Sequence, residues 1–285
     1  MLKIYPAMKR ILLPTDFSDN SIEAIKYALL VYKDMTYTFY LLNTYTPAVY
    51  KTEYLIGSPG QIGLGDILRE SSMTQLEELK SRLENLFRNP KHTIIIHSAF
   101  NTLQGEITET VEAENIDLIV MGTKGATGAK EILFGTNTVH VIKKAKCPVL
   151  VIPPKFAYKA PKEILFPADY EVKYEKEMLA SLLGIAQQHK ARINVLHVHQ
   201  GYDLSIIQEK NKVQLEKLLG SSALFHEVQD NGIIAAVNDF QVKTTIALLV
   251  MVQNKHTFME RLFIEPIIKK IGFHVTVPFM VIPQL

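Results

Sequence analysis

One opening phrase occurs twice in this chain. KRILLPTDFSDNSIEAIKYALL starts at Lys9 and KEILFPADYEVKYEKEMLASLL at Lys162, and both run basic residue, apolar trio, proline, small residue, aspartate, aromatic and then a helical pattern. The halves agree again where IDLIVMG meets TIALLVMV, and each closes on Val-Ile-Pro, at Pro153 and Pro283. So long a period is not that of a solenoid. It describes a duplicated domain, and any fold proposed for the 285 residues must be buildable twice. The stretch PPKFAYKAP, Pro153 to Pro161, reads as a proline-stiffened linker, which divides the chain into domains 1–154 and 155–285.

Within the first half, ILLP, TFYLLNT, HTIIIHSA, DLIVMG and PVLVIP are short, nearly continuous apolar runs, as expected of strands buried on both faces. Asn20 to Lys33, Ile67 to Arg88 and Gln104 to Asn115 return apolar residues every three or four positions, as amphipathic helices do. A further helix is expected after Gly135. The second half repeats the scheme with EILFP, RINVLHV, ALFHEV, TTIALLVM and PFMVIP. The expected fold class is therefore α/β: two tandem domains, each a Rossmann-like five-stranded parallel sheet with helices on both faces. In such sheets ligands bind beyond the carboxyl ends of the strands, at the switch point of strand order.

The fourth strand runs into Gly122, Gly125, Gly128 and Gly135-Thr136. Glycine lets a ligand approach the backbone closely. A helix starting near Thr136, capped by its hydroxyl, would offer free amides and the positive end of its dipole. Several amides and hydroxyls, with Asn137 and Thr138 among the donors, are needed, because the dipole alone supplies roughly 0.3 to 1 kcal/mol. A merely flexible connector is the alternative reading of the glycines. The spacing is neither that of Walker A nor that of a Rossmann loop on the first strand. Asp16 can accept hydrogen bonds from an amino group or hydroxyls, or can serve a turn and helix cap; Asp19 or Asn20 is the better-placed cap.

These pieces together, Pro14-Thr15-Asp16, then Met121-Gly122-x2-Gly125-x9-Gly135-Thr136, then Pro-Val-Leu-Val-Ile-Pro, resemble the universal stress protein family over essentially the whole chain, as two tandem domains. The resemblance implies an adenine nucleotide alpha hydrolase-like fold and a stress-response regulatory protein that binds ATP or a related adenine nucleotide, with magnesium as its counter-ion. It implies Pro14, Thr15 and Asp16 for the nucleoside and Thr44 at the end of strand two. Met121, Gly122, Gly125, Gly135, Thr136 and Asn137 would serve adenine, ribose and phosphates. It also implies that the closing strands pair, making an intramolecular pseudo-dimer.

The second half keeps Asp169, but Val252 to His256 replace the first glycines and Glu265-Pro266 falls near the later Gly-Thr pair. A glutamate repels phosphate and a proline deletes an amide donor, so this half is not expected to bind nucleotide. Its glycine-free loop on a retained strand pattern suggests that the glycines of the first half serve a ligand and not the fold. His197 and His199 share a strand face, and with His226 or His274 could ligate a metal or could simply hydrogen-bond; no metal site is expected. Cys147 reads as a small buried residue. The connector from Tyr45 to Asp66 is either a lid or docking surface or a disordered excursion.

With 31 basic and 29 acidic residues, no nucleic-acid footprint is present. No apolar stretch reaches the length of a membrane span, and a cytoplasmic location is expected. Regulatory binding, with no enzymatic turnover, is the leading expectation. A slow ATP hydrolase or phosphotransferase is the first alternative, and a nucleotide-independent interaction module the second. A protein partner is expected but unnamed, and further homodimerisation is compatible with the pattern.

Overall fold

The computed structural model describes residues 10–46, 62–123, 135–199, 201–229, 232–253 and 277–284. Most of the expected lid connector (47–61), the loop 124–134 with Gly125 and Gly128, and the stretch 254–276 with Glu265, Pro266 and His274 lie outside the described residues.

The apolar runs form the strands β1 (Arg10–Pro14), β2 (Tyr37–Thr44), β3 (His92–Ala99), β4 (Leu118–Gly122) and β5 (Val149–Ile152). They recur as β6 (Glu163–Pro167), β7 (Arg192–His199), β8 (Ala223–Gln229), β9 (Leu248–Val252) and β10 (Phe279–Ile282). The helices are α1 (Asp19–Val31), α2 (Ile62–Phe87), α3 (Leu103–Ala113) and α4 (Thr136–Lys144), then α5 (Ala180–His189), α6 (Ile206–Leu219) and α7 (Ile233–Lys243). All these strands lie in one sheet of order β3-β2-β1-β4-β5-β10-β9-β6-β7-β8, which reads alike from either end. Pairing is parallel except at the centre, where β5 and β10 run antiparallel with Leu150 opposite Met280.

Helices cover both faces. Ile25 of α1, Leu83 of α2, Leu182 of α5 and Leu215 of α6 share one buried cluster, and Ile107 of α3, Val141 of α4 and Val237 of α7 share the other. The central strands contribute to both clusters, which explains why their sequences do not alternate. Burying each such aliphatic side chain contributes roughly 1.5 to 3 kcal/mol, so side chains as well as the ladder hold the central seam.

Two elements differ from expectation. Helix α2 begins at Ile62, earlier than its apolar periodicity indicates, and runs through Gly63 and Gly65. Each interior glycine costs a helix about 1 kcal/mol, which the buried Leu76, Leu79 and Leu83 of this long helix offset. Helix α5 begins late, at Ala180. The preceding segment turns its Val172, Tyr174 and Leu179 into the core, and Tyr174 meets Phe166 edge-on at 6.2 Å. Apolar anchors there replace a first helical turn.

Candidate functional site

The strand order of the first half reverses between β1 and β4, and the crevice outside their carboxyl ends is where an open α/β sheet receives ligands. The chain leaves β1 through a braced turn. The Thr15 amide donates to Leu42 O (2.8 Å), and the Thr15 carbonyl accepts from Asn43 Nδ2 (2.8 Å). Asn43 Oδ1 accepts in turn from the Ser72 hydroxyl (2.8 Å), which lies 2.7 Å from that of Ser98. Thr15 Oγ1 accepts from the Phe17 amide (3.0 Å) and pairs with Ser21 Oγ (2.9 Å). Phe17 is left-handed at φ 60°, a conformation that costs a bulky residue energy and persists only when its surroundings determine it.

Asp16 is exposed on this turn, and its Oδ1 accepts from the Ser18 amide (3.1 Å) and hydroxyl (2.6 Å). Ser18, not Asp19 or Asn20, caps α1, with its Oγ accepting from the Ser21 amide. Asp16 therefore orients the cap from an exposed position just after β1. Asn20 acts elsewhere, since its Nδ2 donates to Ile152 O (3.2 Å) while its side chain lies against Gly122. A methyl group on Gly122 would sit 2.6 Å from Asn20 Oδ1 and 3.1 Å from its backbone oxygen. The expectation that the glycines serve a ligand and not the fold thus needs correction at Gly122, which close packing requires.

Beyond β4 the Thr123 amide donates to Ile152 O (3.1 Å), and the Gly135 amide donates to Thr123 O (2.6 Å). The Thr138 hydroxyl donates to Gly122 O (3.0 Å), tying α4 to the strand end. The Thr123 hydroxyl is buried and takes no partner among the described residues. The N-cap of α4 is Gly135, one residue before the expected Thr136, and it offers no side-chain cap. Thr136 and Asn137 stand exposed in the first turn, where a helix's amides have no intrahelical partner.

Of the residues singled out from the sequence, Asp16, Gly135, Thr136 and Asn137 are accessible at this edge, and Thr44 is half-buried at the end of β2. Pro14, Thr15, Met121 and Gly122 are buried beneath it, with the Met121 side chain in the α3–α4 core. Gly125 is outside the described residues. Asn43, Ser72 and Ser98, which brace the edge, carry no motif in the sequence, while Asn20 and Thr138, expected as a cap and a phosphate donor, brace it too.

The second half repeats the turn. The Ala168 amide donates to Leu196 O (2.9 Å), Asp169 Oδ1 accepts from the Glu171 amide (3.0 Å), and Tyr170 takes φ 60°. His197 stands where Asn43 stands in the first half: its Nδ1 donates to Ala168 O (2.9 Å), and Tyr170 stacks on its ring at 4.9 Å. Burial raises the Asp169 carboxyl above its ordinary value. His199 Nδ1 accepts from the Gly201 amide, and His226 bonds Asn194 Oδ1. Among the described residues no group of three metal-ligating side chains forms. Burial pushes the Cys147 thiol up to about 12, which keeps it protonated and unreactive.

The pattern of the Universal stress protein family matches residues 8–153. Universal stress protein MJ0531 of Methanocaldococcus jannaschii is 35% identical over 151 residues, 50% of this chain and 81% of that protein. Universal stress protein MJ0577 of the same organism is 31% identical over 156 residues, 50% of this chain and 94% of that protein. Over both halves, a universal stress protein of Archaeoglobus fulgidus superposes with a TM-score of 0.66, covering 97% of each chain at 16% identity, a likeness of fold. The strand-edge turn, the glycine-capped α4 and these matches agree, and the chain belongs to the universal stress protein family.

Proposed function

We propose that the first half binds ATP or a related adenine nucleotide at the crevice between β1 and β4, and that the chain is a stress-response regulator. The observation that carries this reading is the open N-terminus of α4. Its N-cap is a glycine without a capping side chain, and exposed Thr136 and Asn137 follow. In this reading the amides of that turn hold phosphate, Asp16 accepts from ribose hydroxyls or the adenine amino group, and Thr44 lines the base. Magnesium arrives on the phosphates. The second half, with Glu265-Pro266 in place of Gly-Thr, does not take a nucleotide.

The two halves, joined through β5 and β10, act as an intramolecular pseudo-dimer of tandem domains in the cytoplasm and signal to a protein partner by occupancy, without turnover. Mass spectrometry of denatured purified protein together with ATP titration calorimetry tests the reading, and the expected outcome is a carried or titratable adenine nucleotide. Neither signal, or steady ATP turnover abolished by Asp16→Ala or Gly135→Glu, overturns it.

A further inference from the structure

We infer that the second half has a function of its own: it reads the occupancy of the first half's strand-edge site through α1. The inference rests on the proposed nucleotide site, but its observations lie elsewhere. One end of α1 belongs to the site. Ser18 caps it while bonded to Asp16, and Asn20 sits against Gly122 and donates to Ile152 O.

The other end is held by the linker and by α5 beyond it. An α-helix leaves its last four carbonyls without intrahelical partners. Here the Leu30 carbonyl accepts from the Tyr158 hydroxyl (3.3 Å), and the Val31 carbonyl accepts from Gln188 Nε2 (2.8 Å) and His189 Nε2 (2.9 Å). Gln188 and His189 are the last residues of α5. Along the helix, Glu23 Oε2 accepts from the Lys155 amide (2.9 Å), and Tyr27 meets Phe156 and Tyr158 edge-on at 6.0 and 5.6 Å. Glu23, Tyr27, Leu30 and Val31 recur at the spacing of one helix stripe, so the linker and α5 grip a single face of α1.

Its 13 residues make α1 about 20 Å long, too long for one ligand to touch both ends. Ile25, Ala28 and Leu29 are at most 1% exposed, and a helix packed so closely moves as a body. The same end is also held by the first half, where the Tyr32 carbonyl accepts from His92 Nε2 (3.0 Å), Lys33 O from Asn89 Nδ2 (2.8 Å) and Asp34 O from Lys91 Nζ (2.8 Å). Two sets of donors thus share one helix end, and a small axial slide of α1 redistributes bonds between the halves. Coupling between sites is reciprocal, so an intact clasp favours ligand binding and a bound ligand tightens the clasp.

The test uses the full chain with ATP as the probe. Calorimetry compares wild type with the double variant Tyr158→Phe/Gln188→Ala, which removes two clasp donors and keeps the rings of the interface. Hydrogen exchange follows the amides of Ala186 to Lys190 with and without ATP. The expected results are an ATP affinity weakened about fivefold or more and slower exchange of those amides with ATP in wild type only. ATP binding that is equal in both proteins, with exchange at Ala186 to Lys190 unmoved, overturns the relay alone. Absence of ATP binding to wild type overturns the nucleotide reading and the relay with it.

Discussion

At Gly122 a methyl group would fall 2.6 Å from Asn20 Oδ1, and Asn20 cannot swing aside freely, because its Nδ2 is bonded to Ile152 O. Gly122→Ala must therefore displace α1 or break that bond, and overpacking of this kind costs about 1 to 3 kcal/mol. Urea unfolding of the variant should show that loss. Asp16 permits a cleaner separation of roles. Its Oδ1 accepts from Ser18, and an asparagine retains an oxygen for those bonds while removing the charge. Asp16→Asn should change unfolding stability by less than about 0.5 kcal/mol and weaken ATP binding about tenfold or more, the worth of a hydrogen bond to a charged group. A stability loss without a binding loss would assign Asp16 to the turn alone. The motif residues Asp16, Gly122 and Gly135 were legible in the sequence because they are local. Asn20 as the neighbour of Gly122, and the Asn43–Ser72–Ser98 chain, were not, because such contacts exist only after distant strands and helices meet.

The glycine that caps α4 differs from Gly122 in kind. Its φ of −62° and ψ of 154° are open to any residue, so the backbone does not demand glycine there. An acidic N-cap would satisfy first-turn amides, which stabilises the helix over a glycine cap by only about a few tenths of a kcal/mol, and its charge at the positive end of the dipole adds roughly 0.3 to 1 kcal/mol. Gly135→Asp should accordingly raise thermal stability while abolishing ATP binding, since the new carboxylate occupies and repels at the place proposed for phosphate. Calorimetric melting and ATP titration of the same variant check both halves of that statement, and a stabilised variant that still binds ATP would move the phosphate away from α4. At this scale the periodicities placed α1 and α3 well, because amphipathic helices on a two-faced sheet carry their pattern locally. They misjudged α5, where Val172 and Tyr174 look like helix-face residues in the sequence but enter the core from an irregular segment. Local pattern reports which residues are buried and leaves open which backbone geometry buries them.

Across the whole molecule, the duplication that opens the sequence becomes a sheet with the same strand order from either edge, with one antiparallel seam at β5 and β10. The contacts that cross between the halves away from that seam include a buried histidine, and this makes the assembly sensitive to acid. Burial lowers the His189 pKa below its ordinary 6.5, with Lys162 and Lys33 acting in the same direction and the Val31 carbonyl and Asp34 opposing them. Burial lowers His92 and His226 as well, with Arg192 adding to the effect at His226. A histidine whose folded pKa lies below its unfolded value binds its proton more readily when unfolded, so unfolding takes up protons on acidification. The stability these histidines contribute is complete above about 6.5, the ordinary histidine value, and is lost as pH falls through the lowered folded values. Protonated His189 keeps its Nε2–H bond to Val31 O, so what weakens the clasp on α1 in that window is the cost of burying the new charge. His189→Gln keeps an amide donor without the titration. Urea midpoints of both proteins at pH 7.5 and 5.5 should show a smaller loss on acidification for the variant, whereas equal losses would place the acid sensitivity of the fold at His92 and His226, away from the interface.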